Sequence, residues 1–236
     1  MAHPTVSEPS PAGAARRVLE IRRLGMLPFA QAHLLQEDLV TRRRAGEIPD
    51  QLLLLQHPHV ITLGSGSHAE HVLADPGQRN ALGIDLLEAG RGGDVTYHGP
   101  GQLVGYPILD LKPDRRDVHR YLRDLEEVLI RVLDGYGIES RRVEGMTGVW
   151  TDSGKVAAIG IRVSSGWITS HGFALNVGTD LSFFETIVPC GIAGSTVTSL
   201  EHLVGRPVPI TEVAARTASA FANVFDRSVS EVGGEL

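Results

Sequence analysis

The sequence predicts an α+β domain in which a mixed β-sheet is flanked by helices, and three observations support that class. Apolar residues recur at helical spacing in three long stretches, short β-prone runs lie between them, and turn residues of the hairpin kind join several of those runs. Helices interspersed among strands, with tight turns connecting some of the strands, make a mixed sheet rather than a wholly parallel one.

In chain order, residues 1–18 read as a flexible tail, the first fifteen being rich in Pro, Ala and Ser. Residues 27–44 form a helix, with Leu34, Leu35 and Leu39 at helical spacing and Gly46 and Pro49 closing it. Residues 51–56 and 60–63 are short β-prone runs split by His57-Pro58-His59, a pattern that suits two strands paired around a turn. The stretch 91–101, RGGDVTYHGPG, sets four glycines and a proline among Arg, Asp, Thr, Tyr and His, so it is too broken for a helix interior and reads as a loop that carries a site. Residues 102–111 return to strand composition. Asp114 then caps a long amphipathic helix whose buried stripe is Val118, Tyr121, Leu122, Leu125, Val128, Leu129 and Val132, ended by Gly135 and Gly137. Residues 156–163 and 167–177 are two strands joined by Ser164-Ser165-Gly166, a hairpin signal. A last helix covers 211–225, and 226–236 is a C-terminal tail, which leaves a single domain over 19–225.

The 236 residues are 42% hydrophobic and 21% charged, enough to bury a sizeable core. A formal charge of −6 gives no electrostatic reason to expect nucleic acid or an anionic membrane as partner. The runs Arg42, Arg43, Arg44 and Arg115, Arg116, Arg120, Arg123 read as solvated helix faces, with an acidic protein as the alternative for the second. One cysteine rules out an internal disulfide framework and fits a reducing compartment, so a cytoplasmic location is expected. No stretch has the apolar length of a transmembrane helix.

Gly64-Ser65-Gly66 with Ala69 imitates a dinucleotide fingerprint, but Pro76 and Gly77 cut short the helix that should follow, so an ordinary loop is expected. His57 with His59, and His68 with His71, have metal-like local spacing, yet two scattered pairs do not make a zinc site, and no metal is expected. Cys190, taken alone among apolar neighbours, reads as a small buried side chain. Its flanks Pro189 and Gly191 break regular structure and would also suit a thiol presented from a turn. Lys155 opens a strand after Ser153-Gly154, where a solvated lysine is the default; near the Cys190 sulfur it would favour the thiolate.

The run from Arg91 to Gln102, RGGDVTYHGPGQ, closely resembles the signature loop of the octanoyltransferases of lipoate biosynthesis, the LipB family. Gln56-His57-Pro58 through Thr62-Leu63-Gly64, the strand KVAAIG from Lys155, SHGFALNV from Ser170 and Pro189-Cys190-Gly191-Ile192 resemble further segments of that family, in the same order, across about residues 20–215. The resemblance implies a fold similar to the catalytic domains of biotin and lipoate protein ligases. It also implies Cys190 as acyl-carrying nucleophile and Lys155 as the lysine that activates it. Arg91, Gly92, Gly93, Asp94, Val95, Thr96, Tyr97, His98, Ala158, Ile159, Gly160, Gly172, Phe173 and Ala174 would line the acyl pocket.

The implied reaction moves an octanoyl group from octanoyl-acyl carrier protein, through a Cys190 thioester, to a lysine of lipoyl domains, those of 2-oxoacid dehydrogenase E2 subunits and of the glycine cleavage H protein. No cofactor is expected. Two rivals stay open: an ATP-dependent lipoate or biotin-type ligase on the same fold, separated by its need for nucleotide, and a non-catalytic module that binds lipoyl domains or acyl carriers without ever labelling Cys190.

Overall fold

In a computed structural model that describes residues 16–112, 114–188 and 196–233, eleven strands form two sheets. The strands are β1 (Arg17–Met26), β2 (Asp50–Gln56), β3 (Val60–Leu63), β4 (Asp85–Glu88), β5 (Val95–His98), β6 (Gln102–Ile108), β7 (Arg141–Val143), β8 (Met146–Thr151), β9 (Gly154–Val163), β10 (Thr169–Asn176) and β11 (Arg227–Glu231). The helices are α1 (Phe29–Arg44), α2 (Pro76–Leu82), α3 (Val118–Asp134), α4 (Leu200–Val204) and α5 (Ile210–Phe225). The large sheet runs β11-β1-β2-β6-β10-β9-β8-β7 and the small one β4-β3-β5. β1 pairs in parallel with both β11 and β2, and the remaining pairs of the large sheet are antiparallel, so the mixed α+β class is the observed one.

Layering follows from side-chain alternation in the central strands. Leu52 and Leu54 of β2 join a core with Tyr121, Leu125 and Val128 of α3 and Phe221 and Phe225 of α5, while Leu53 and Leu55 join a second core with Ala32 and Leu39 of α1. A strand covered on both faces needs an unbroken apolar run, and residues 52–55 are four leucines. The hairpin predicted at Ser164-Ser165-Gly166 joins β9 to β10, with Gly172 opposite Gly160 in the ladder.

Several expectations are corrected. β2 and β3 do not pair: both edges of β2 are taken by β1 and β6, so β3 starts the second sheet. The cap of α3 is Asp117, whose carboxylate accepts the Arg120 N–H at 3.1 Å, whereas Asp114 accepts from Arg17 and Arg227. In α1 the buried stripe is Phe29, Ala32, Gln36 and Leu39; Leu34 is 65% exposed. Pro76 begins α2 as its first residue, after an Asp75–Gln78 capping box, instead of ending a helix. The supposed C-terminal tail of 226–236 contains β11, and Arg17 and Val18, assigned to the N-terminal tail, already belong to β1.

One buried carboxylate ties these late and early strands together. Asp50, at the start of β2 and fully buried, accepts from Arg17 Nη2 at 3.0 Å, Arg43 Nε at 2.8 Å and Arg227 Nε at 2.9 Å, so β1, α1 and β11 converge on it. Removing one member of a buried ion cluster leaves uncompensated charge at a cost of about 3–5 kcal/mol. Urea unfolding of Asp50→Ala is therefore expected to show a loss on the order of 3–5 kcal/mol with little change in slope; a loss below about 1 kcal/mol, the level of an exposed pair, would contradict this role.

Candidate active site

A cavity of about 340 Å³ lies against β9 and β10, beneath the segment 91–98. Its size is within the range of roughly 300–1,000 Å³ usual for small-molecule sites. Of the residues expected to line it, Arg91, Gly92, Gly93, Asp94, Val95, Thr96, His98, Ala158, Ile159, Gly160, Gly172, Phe173 and Ala174 do so, and Lys155 is among them at the edge nearest β8. Tyr97 does not. Its ring belongs to a separate core, where it stacks on Phe183 at 5.3 Å and its hydroxyl meets His59 Nδ1 at 2.7 Å. Cys190 lies outside the described residues.

The loop 91–94 is shaped from within by its arginine. The buried Arg91 guanidinium donates from Nη2 to the Thr62 carbonyl at 2.7 Å and hydroxyl at 2.9 Å, and from Nη1 to the Asp94 carbonyl at 2.8 Å. Gly92 donates its N–H to the Ile161 carbonyl at 2.8 Å, which fastens the loop to β9. Gly160 gives this contact its room, since a Cβ there would lie 3.0 Å from Arg91 Cδ and 3.1 Å from the Gly92 carbonyl. Residues 64–66, which imitate a nucleotide fingerprint, are spent on the same loop: Ser65 and Gly66 donate to the carbonyls of Arg91 and Gly93 at 2.8 and 3.1 Å.

Lys155 is not the solvated lysine of the default reading, for it is only 8% exposed. Its N–H donates to the Thr196 carbonyl at 2.9 Å and its own carbonyl accepts from Thr198 at 3.0 Å, so β9 is bound here to the segment that follows Cys190. The ammonium lies 5.3 Å from the centroid of the Trp150 ring. Gly148, with φ +126°, faces the side chain: a Cβ there would stand 2.6 Å from Lys155 Cε and 2.5 Å from the Ala157 carbonyl.

The other end of the cavity is walled by Phe29, His98, Tyr106 and His171. His98 Nδ1 meets the Gln102 carbonyl oxygen at 2.7 Å while the Gln102 amide donates to Asn176, so the network assigns the proton to Nδ1. Burial, with the charges of neighbours including His57 and Arg91, holds His98 at about 3, and burial with His33 and Arg91 holds His171 at about 3. Burial likewise brings His57, bonded to the Tyr106 hydroxyl at 2.8 Å, down to about 4. These rings are neutral at neutral pH and too weakly basic to favour proton abstraction, so His98 and His171 form an uncharged part of the wall.

Sequence reasoning missed Phe29, Tyr106, Leu122, Met146 and Trp150 as lining residues. Each stands on a helix or strand where an apolar or aromatic residue reads as core, and only their convergence reveals the site. No group of three or more His, Cys, Asp or Glu side chains among the described residues is arranged to hold a metal ion; His71 instead bonds Asp94 through Nδ1 at 2.5 Å.

The three depressed histidines set a pH dependence. Their unfolded value is 6.5, so their contribution to stability is complete above that pH and is lost as pH falls from 6.5 toward 4 and 3. Urea unfolding should give a stability that is flat above pH 7.5 and that falls below 6 by roughly 1.4 kcal/mol per pH unit for each histidine. His171→Gln should remove about one third of that slope; an unchanged slope would show that its ring titrates normally.

Residues 28–222 match the family described as the lipoyl protein ligase A/B catalytic domain. Among curated relatives, a protein of Rubrobacter xylanophilus named octanoyltransferase is 54% identical over 212 residues, covering 89% of this chain and 95% of that protein. Another octanoyltransferase, from Solibacter usitatus, is 52% identical over 206 residues, covering 87% and 92%. Among solved structures, a lipoate-protein ligase A bound with ATP superposes with a TM-score of 0.73 at 19% identity, over 93% of this chain and 90% of that one. The bipartite lipoate protein ligase of Thermoplasma acidophilum gives 0.72 at 20% identity, over 92% and 86%. These two likenesses show the ligase-type fold. With the family match across most of its length and relatives above half identity, the chain belongs to the lipoyl protein ligase A/B catalytic-domain family, among its octanoyltransferases.

Proposed function

We propose that this protein transfers an octanoyl group from octanoyl-acyl carrier protein to a specific lysine of lipoyl domains, through a thioester on Cys190 and in the cytoplasm. The observation that carries the reading is a buried lysine at one end of a cavity whose other walls are glycines, apolar side chains and neutral imidazoles, together with Arg91, Asp94 and Thr96 of the 91–98 segment and Thr147. The chain on both sides of Cys190 is fastened to this site. Val188, two residues before it, donates to the His71 carbonyl at 2.8 Å, and the His71 ring bonds Asp94 of the pocket; Thr196, six residues after it, accepts from Lys155.

The chemistry follows in two balanced steps. The Cys190 thiolate, favoured by the Lys155 ammonium, adds to the carbonyl carbon of the donor thioester; the tetrahedral intermediate collapses, the C–S bond to the carrier breaks, and the carrier sulfur leaves as a thiol with the proton given up by Lys155, whose amine is then neutral. The ε-amine of the acceptor lysine then adds to the octanoyl-enzyme, Lys155 accepts the proton that the amine loses, and the Cys190 thiolate leaves. Exchange of one thioester for another is nearly balanced, and conversion to an amide is downhill, so neither step calls for a nucleotide. Burial of the acyl chain supplies several kcal/mol at about 0.8 kcal/mol per CH₂. Selection between neighbouring chain lengths is then limited to about 1–3 kcal/mol.

Incubation with octanoyl-acyl carrier protein in the absence of ATP is expected to add one hydroxylamine-labile octanoyl group to the Cys190 peptide, seen by intact and peptide mass, and to pass it to a lipoyl domain on chase. Cys190→Ser should give no adduct, and Lys155→Ala should slow acylation by about 10²-fold or more, the usual worth of a positioned acid–base group. Transfer that requires ATP would replace this reading with the ligase; neither adduct nor transfer, with the partners still bound, would leave a binding module.

A further inference from the structure

Glu126 is buried in α3, 1% exposed, and does not line the cavity. A carboxylate withdrawn from water must be fully engaged, and this one faces two ways. Oε2 accepts from Arg123 Nη1 of its own helix at 2.7 Å and lies 3.2 Å from Arg142 Nε of β7. Oε1 accepts the backbone N–H of Gly148 at 3.3 Å. Gly148 is the residue whose missing side chain is the space that Lys155 uses, its absent Cβ position lying 2.6 Å from Lys155 Cε and 3.3 Å from Nζ. The β8–β9 register shifts between Val149 and Trp150 and sets Trp150 opposite Lys155, and Gly148 and the Trp150 ring both lie against that side chain, so β8 forms the slot in which the ammonium rests.

We infer that Glu126 is a positioning residue for Lys155: by holding Gly148 through one backbone hydrogen bond, it fixes the wall of β8 against which the lysine side chain is set. The two arginines neutralise the carboxylate, and Arg142 fastens the β7–β8 edge to α3, so the position of that wall is coupled to the packing of the helix. Leu122, one turn earlier on α3, lines the cavity, which gives the same helix a direct place beside the site. The inference rests on the reading of Lys155 as the activating residue, and the test separates the two.

Cys190 is the only cysteine of the chain, so its rate of alkylation by iodoacetamide against pH reports the thiol titration without interference. The full-length protein is compared with Glu126→Ala, Glu126→Gln, Gly148→Ala and Lys155→Ala. Single-turnover acylation by octanoyl-acyl carrier protein, steady-state kcat and KM, and thermal unfolding are recorded in parallel. Expected are an upward shift of the thiol titration toward the free value of about 8.5 in Glu126→Ala and Gly148→Ala, with kcat reduced about tenfold or more and KM for the donor within about twofold. The amide of Glu126→Gln has one oxygen for two tasks and should fall between these variants and the wild type. A shift in Lys155→Ala at least as large supports the chain of contacts. Folded Glu126→Ala or Gly148→Ala with wild-type titration and kcat, or with a lower melting temperature alone, overturns the role of Glu126. An unshifted titration in Lys155→Ala overturns the reading of the lysine and this inference with it. Should Glu126→Ala fail to fold, Glu126→Gln decides by the same criteria.

Discussion

The guanidinium of Arg91 is the joint on which the site depends. It is buried where the small sheet meets the large one, and its donors are used on the backbone and hydroxyl of Thr62 in β3 and on the carbonyls of its own loop. With Gly92 bonded to β9, the two sheets are held at a fixed distance with a cavity between them. A planar fork with five N–H groups can satisfy several carbonyls at fixed angles, which a lysine ammonium on a flexible stem does not reproduce. The same cation lies near His98 and His171 and adds to the effect of burial in keeping them neutral. Loop shape, sheet spacing and pocket polarity thus share one cause.

That cause explains which features could be read from residues alone. The β9–β10 hairpin, the buried stripe of α3 and the existence of α5 are local patterns, and the structure contains them, whereas the glycine-rich segment 91–101, read as a loop, holds β5 in its middle because residues 95–98 pair with the free edge of β3. The resemblance supplied the lining residues, and it placed Tyr97 among them because a motif is a contiguous run, whereas the ring of Tyr97 packs against Phe183 and Phe184. The pairing of β3 with β5 instead of β2 depends on which edges are free, a property of the whole sheet. Gly148 and Glu126 carried no signal either. One is an isolated glycine before Val149, and the other looks like one more charge on an amphipathic helix until Gly148 and Lys155 are seen beside it.

Phe29 and Tyr106 show a related limit. Each sits where apolar or aromatic content marks a core, and each is core on one side while facing the cavity on the other. A pocket built from the inner faces of ordinary secondary structure has no composition of its own. Its polarity is equally hidden, because a histidine in a sequence has no fixed charge; burial decides that here, and it leaves His98 and His171 as uncharged walls with His57 neutral behind them.

β11 closes the outer edge of β1 across a separation of 208 residues, as between Arg23 and Glu231. During synthesis at about 5–20 residues per second, that edge stays open for roughly 10–40 s after β1 has been made. An unpaired strand edge invites pairing with other chains, and charged side chains are a usual protection. β1 carries Arg17, Glu20, Arg22 and Arg23, the charges that hide it as a strand among short apolar runs. Arg17 and Arg22 meet Asp50 and Gln51 of β2 early, whereas Arg23 finds Glu231, and Asp50 receives Arg227, only when β11 is made. In the nascent chain these charges guard the open edge until the last strand arrives, and in the finished protein they become the clasps that hold it.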